Sequence, residues 1–334
     1  MRAPVFALLL VFTACAPFRP RELVLPGFSP SGAFDERTRV VQLAPGVTAT
    51  IVAPKRIVSS QRTDLILYAL PNGNTTAQTM GRLMTPGLDW HFDIQHIAAQ
   101  TRAIRTMGMP QAIVVYFEAD TKSWPAWRQR MGYPVANTRI VALVDSLRAA
   151  IGGAPENVPV TLTGHSGGGS FMFGFIEGHE AIPDWIERIA FLDANYNFGD
   201  AHGPKLEQWL RRDPDHTLVV MAYDDREIML DGKKVVSDSG GTWRATERMV
   251  RYLRPRFALR TDSVSGFIRH SDAQVEILTH PNPQNRILHT EMIGEMNGYM
   301  HAMLTRRHDY SYTGHVLGPK RAYSKWVDSS ATPP

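Results

Sequence analysis

Residues 159–170 read PVTLTGHSGGGS. A run rich in β-branched residues ends in Gly164-His165-Ser166-Gly167-Gly168, so a strand runs straight into glycines that flank one serine. Glycine weakens both a strand interior and a helix start, so this stretch serves something other than folding stability. A sharp strand-to-helix turn supplies the reason. It lifts the serine hydroxyl above the sheet edge, and its crowded backbone admits only small neighbours. Gly164 and Gly168 occupy the two glycine positions of G-x-S-x-G, and Gly167 can bring its N–H close to a reacting oxygen. The positive end of the following helix is directed to the same place. Neither a phosphate-loop pattern nor a dinucleotide fingerprint is present. Ser166 is therefore the candidate nucleophile.

Outward from this turn, strand and helix signals alternate. Apolar runs of strand length occur at 64–70, 112–117, 158–162, 188–192, 218–222 and 275–278. Such runs are the mark of strands buried on both faces. Segments with helical spacing or length occupy 93–105, 138–151, 170–177, 203–212, 242–253 and 291–306. Residues 39–43 and 48–52, joined by Ala44-Pro45-Gly46-Val47, read as an antiparallel hairpin. The pattern predicts one α/β domain: a mostly parallel central sheet with an N-terminal antiparallel hairpin and helices on both faces.

The 334 residues are 43% hydrophobic and 20% charged with a formal net charge of +4, the composition of an ordinary packed globule. No dense Lys/Arg stripe appears, which argues against a nucleic-acid partner. The single cysteine is Cys15. Residues 1–14, MRAPVFALLLVFTA, place Arg2 before a short apolar run and Ala14 just ahead of Cys15, which reads as an export signal. Phe12-Thr13-Ala14-Cys15 resembles the lipobox of bacterial lipoproteins, although Phe12 stands where Leu is usual. That resemblance implies lipidation at Cys15 and a membrane-anchored location in the cell envelope. The expected layout is a signal peptide at 1–14, a Pro/Gly/Ser-rich tether at 15–37, the α/β domain at 38–306 and a tail at 307–334.

The strand–turn–helix context of Ser166 and the surrounding alternation resemble the α/β-hydrolase superfamily over most of residues 38–305. The resemblance implies a Ser-Asp/His triad in the chain order serine, acid, histidine, with the acid after a later strand and the base after the last. His289 and His280 lie in the loop between the last strand and the last helix, and His289, just ahead of the helix, is the expected base. For the acid, Ala222-x-x-Asp225-x-x-Ile228 is similar to the family's Gly-x-x-Asp-x-x-Val and favours Asp225; Asp193, one strand earlier, and Asp224 are the alternatives. The oxyanion donors implied are the N–H groups of Gly167 and of Asn74, in the loop 70–74.

Trp124 and Trp127 follow the strand 112–117 and, with His165, are candidates for the substrate pocket. His91, Asp93 and His96 are metal-type side chains, but the two histidines are five apart and do not stack on one helical face. A pocket wall or a helix cap by Asp93 suits that segment better than a metal, and no cofactor is expected. The combined reading is an exported serine hydrolase of small or polymer-linked carboxylic esters. The alternatives are an amidase or peptidase of the cell envelope, or a non-catalytic binder of glycan or partner.

Overall fold

The computed structural model describes residues 22, 25–32, 34–151, 158–307 and 315–330. The expected signal segment and Cys15 lie outside them. In chain order the elements begin with β1 (Ser29–Ser31), β2 (Glu36–Ala44), β3 (Val47–Pro54), β4 (Asp64–Ala69), α1 (Thr76–Met80), α2 (Ile97–Arg105) and β5 (Ala112–Ala119). Next come α3 (Trp124–Met131), α4 (Tyr133–Ala150), β6 (Val160–His165), α5 (Gly168–Gly178), β7 (Ile186–Leu192), α6 (His202–Arg212) and β8 (Thr217–Tyr223). A small hairpin, β9 (Met229–Leu230) and β10 (Lys233–Lys234), stands apart from the main sheet. The chain closes with α7 (Thr242–Leu253), β11 (Arg260–Val264), β12 (Phe267–Ser271), β13 (Val275–His280) and α8 (Gly298–Leu304).

The main sheet has 11 strands in the order β1-β2-β3-β5-β4-β6-β7-β8-β13-β12-β11. Six central strands, β5, β4, β6, β7, β8 and β13, run parallel, and antiparallel strands flank them on both sides. This is the α/β-hydrolase type of fold, with the candidate serine at the end of β6. The all-apolar strand runs follow from coverage on both faces. Along β5, Ile113, Val115 and Phe117 enter a core shared with α3 to α7, while Ala112, Val114 and Tyr116 enter a second core shared with α2 and α8.

Several boundaries differ from the sequence pattern. The last helix starts at Gly298 rather than near residue 291, because Asn297 is left-handed at φ 57°. The Asn297 amide donates to the carbonyls of Val316 and Pro319, both at 2.6 Å, and its oxygen accepts from Ala322 N–H at 2.8 Å. Docking of the C-terminal segment thus overrides local helical spacing. That segment is no free tail: Val316, Leu317 and Tyr323 are buried. The expected tether also joins the fold in part, since Ser29–Ser31 pairs with β2 and Glu36, buried, accepts from Arg102 at 2.8 Å. α2 begins at Ile97 because His96 is left-handed, with Nε2 bonded to Asp93 Oδ1 at 2.8 Å. The hairpin β11–β12 has no counterpart in the expected elements, because its first strand, RTDSV, is polar and exposed.

Candidate active site

The parallel strands end side by side, and each end hands its backbone to the next. Ser166 N–H donates to Leu192 O at 3.3 Å, Asp193 N–H to Met221 O at 2.7 Å, and Asp224 N–H to His280 O at 2.9 Å. Ser166 sits at φ 53°, the left-handed region that a non-glycine residue enters only under constraint. The glycines after it supply that constraint through close approach. A Cβ on Gly167 would lie 1.9 Å from Asn72 Oδ1, one on Gly168 2.2 Å from Ala69 O, and one on Gly169 1.7 Å from Ala194 O. The loops after β4 and β7 therefore press directly on the start of α5.

The expected oxyanion donors belong to the same two segments, the loop after β4 and the start of α5. Asn74 is buried, and its loop is tied down where Gly73 N–H donates to Lys122 O at 2.8 Å. Neither the Asn74 nor the Gly167 main-chain N–H has an acceptor among the described residues. Unspent N–H donors are what a developing oxyanion requires.

His289 lies in the turn-rich loop after β13. Buried Leu288 anchors it, and Asn282 staples the loop by donating to Asp224 O and Arg286 O, both at 2.9 Å. The His289 carbonyl accepts from His165 Nε2 at 3.0 Å, and the two imidazoles lie 4.4 Å apart. Burial, and next the neighbouring His289, hold the His165 pKa well below its ordinary value, so this ring is neutral. His165 is thus a buried support for the His289 loop rather than an exposed pocket wall.

The acid is where the structure departs most from the expected arrangement. His289 Nδ1–H donates to Asp193 Oδ2 at 2.5 Å, and Asp193 is fully buried. Asp225 does not meet the imidazole. Its Oδ2 instead accepts from Thr242 N–H at 2.8 Å, while its Oδ1 is buried without a partner. Thr242 joins the two carboxylates: its hydroxyl contacts Asp193 Oδ1 closely and lies 3.3 Å from Asp225 Oδ2. Burial first, then the charge of Asp193, raises the Asp225 pKa to about 6 against the pull of N–H donors from Thr242 and Trp243. Asp224 points elsewhere, paired with Arg226 at 2.7 Å. His280 packs edge-on against Phe267 and accepts from Asn282 N–H at 3.0 Å. The two reserve residues serve the loop rather than the serine.

The pocket role expected of Trp124 and Trp127 is not what the structure places there. Both are 1% exposed. Ser123 caps α3, the helix turns inward, and Trp124 meets Phe171 edge-on with centroids 4.6 Å apart. Two residues outside the expected set do reach the site. Tyr196 lies close to Ser166, and burial together with the Asp193 and Asp225 charges raises its pKa. It lies in the 193–204 segment that follows β7 at this edge. Thr242 was signalled only as the first residue of a helix after Gly240-Gly241. The segment 84–95 forms one wall of a groove of about 500 Å³ beside the His289 loop, with Trp90, Ile94, Ile287 and Thr290 among its lining. There Asp89, not Asp93, caps the short turn Trp90–Asp93. Among the described residues, no group of three or more His, Cys, Asp or Glu side chains is placed to hold a metal ion.

No family model matches the chain, and no curated protein is detectably similar to it in sequence. Solved structures do overlap with it. A provisionally described acetyl xylan esterase from Bacteroides fragilis is 11% identical, with a TM-score of 0.32 over 63% of this chain and 64% of that one. A thermophilic esterase from Thermogutta terrifontis is 8% identical, with a TM-score of 0.43 over 85% and 96%. An S-formylglutathione hydrolase from Agrobacterium tumefaciens is 10% identical, with a TM-score of 0.40 over 83% and 98%. Such low identities and TM-scores give these overlaps no weight as evidence of activity.

Proposed function

We propose that this protein is a serine hydrolase of carboxylic esters, working through an acyl-enzyme. The observation that carries the reading is the bond from His289 Nδ1 to the buried Asp193 carboxylate, next to a serine held left-handed at a strand end. With Nδ1 engaged, the ring's basic lone pair is on Nε2, the atom that must take the serine proton. Asp193 then stabilises the imidazolium that forms. Ser166 Oγ attacks the ester carbonyl, and the N–H groups of Gly167 and Asn74 receive the oxyanion. His289 passes the proton to the departing alcohol, and water repeats the sequence to free the acid. Tyr196, close to Ser166, orients the resting hydroxyl.

Labelling with a fluorophosphonate probe and hydrolysis of p-nitrophenyl acetate test the proposal together. Both are expected for the parent chain and neither for Ser166→Ala. An unlabelled parent chain would point instead to a binder on a hydrolase scaffold. Residues 1–15 support export and a lipid anchor at Cys15 as part of the same reading. Incorporation of radiolabelled palmitate, lost in Cys15→Ser, checks the anchor. Among the described residues no helix is long and apolar enough to cross a membrane.

A further inference from the structure

We propose that Asp225 and Thr242 are positioning residues for the Asp193–His289 pair, acting through the N-terminus of α7; this rests on the serine-hydrolase reading. The N-cap of α7 is Gly241, which offers no side chain to the first turn. Asp225 fills the gap from the loop after β8, accepting the Thr242 N–H at 2.8 Å. Gly241 stands at φ 90°, and a Cβ on it would lie 2.5 Å from Asp225 Oδ2. The carboxylate and the helix start are therefore pressed together, which fixes where the Thr242 hydroxyl points. A hydroxyl has one proton to donate. The closer acceptor is Asp193 Oδ1, with Asp225 Oδ2 at 3.3 Å, so the proton goes to Asp193. Asp193 Oδ2 is then left for His289 Nδ1.

The two neighbours of Asp193 act on the imidazole in opposite senses. The Thr242 donor spreads the Asp193 charge and weakens its hold on an imidazolium. The Asp225 charge favours the imidazolium. The other groups facing Asp225 are Tyr223 from β8 and Tyr196 from the loop after β7, both held neutral by burial and by these carboxylates. Arg226 is turned away, paired with Asp224 and lying over the Trp243 ring. Neutral His165 covers the other side of His289.

The test is the pH dependence of kcat/KM for p-nitrophenyl acetate. Thr242→Val is expected to lose about tenfold and move the acidic limb up by about half a pH unit. Asp225→Asn keeps an oxygen for the cap; it is expected to lose less than about tenfold and move the limb down by about half a unit. Thr242→Ser, which keeps the hydroxyl, returns the limb to its parental position. Limbs that stay in place, or move the same way in Thr242→Val and Asp225→Asn, overturn the proposal. Should Thr242→Val fail to fold, the Asp225→Asn limb decides alone, and an unmoved one overturns it. Ser166→Ala separates the two readings: turnover retained there defeats the hydrolase itself, whereas an inactive Ser166→Ala beside unmoved limbs defeats only the positioning role.

Discussion

The nucleophile corner and the acid corner share one sheet edge but are built from different materials. At the nucleophile, three consecutive glycines let the Asn72 side chain and the backbones of Ala69 and Ala194 approach so closely that a single added carbon collides with an oxygen. Nothing there is charged. At the acid, the fold buries two carboxylates, Asp193 and Asp225, and meets them with one threonine, one helix start and one imidazole drawn from distant segments, leaving Asp225 Oδ1 without a partner. The first corner resists changes of size, because interiors are close-packed and cannot absorb a methyl group. The second responds to changes of charge, because buried carboxylates repel each other and lose their hydration.

Substitutions at the two corners should therefore fail differently. The largest effect is expected for Ser166→Ala, with ester turnover down by about 10⁵-fold or more and thermal stability near that of the parent. Next is the acid corner. Asp193→Asn should cost about 10⁴-fold in kcat by leaving His289 without an anionic partner. Asp225→Asn should cost less than about tenfold; equal losses in the two variants would erase the distinction between them. Gly169→Ala should instead destabilise the fold by about 3 kcal/mol, read from denaturant midpoints, because the new methyl meets Ala194 O at 1.7 Å. An unshifted midpoint there would mean that the elbow can relax.

The smallest effect is the pH dependence of stability at the acid corner. Asp225 has a pKa of about 6 in the fold against an ordinary value of 3.8, so the folded state keeps a proton that the unfolded chain gives up. Stability should fall as pH rises from about 4 to about 6, by at most about 3 kcal/mol. Asp225→Asn should flatten that slope, while Gly169→Ala should leave it unchanged. Melting curves at both pH values check the sign, and a slope that survives Asp225→Asn would assign the proton to another group.

Much of the molecule was readable from local pattern. The central parallel strands, the hairpin ahead of them and the serine turn all announce themselves within short windows, through apolar runs and through glycines that no strand or helix needs. The placement of His289 at this edge was readable from its position after the last strand. The acid was not. Asp193, Asp224 and Asp225 all follow strands at one edge, and spacing alone preferred Asp225. What separates them is the start of α7, which engages Asp225 and aims the Thr242 hydroxyl at Asp193. The indoles of Trp124 and Trp127 misled for a related reason: their place after a strand suggested exposure, but Phe171 on α5 gives them a core to enter.

Sequence alone settled the layering of the fold and the identity of the candidate nucleophile, since burial periodicity and a glycine-flanked turn are properties of neighbouring residues. Tertiary structure decided which carboxylate meets the imidazole. That choice depends on where a helix beginning at residue 242 sets its first N–H against Asp225 and its first hydroxyl against Asp193, a long-range arrangement that no local window contains.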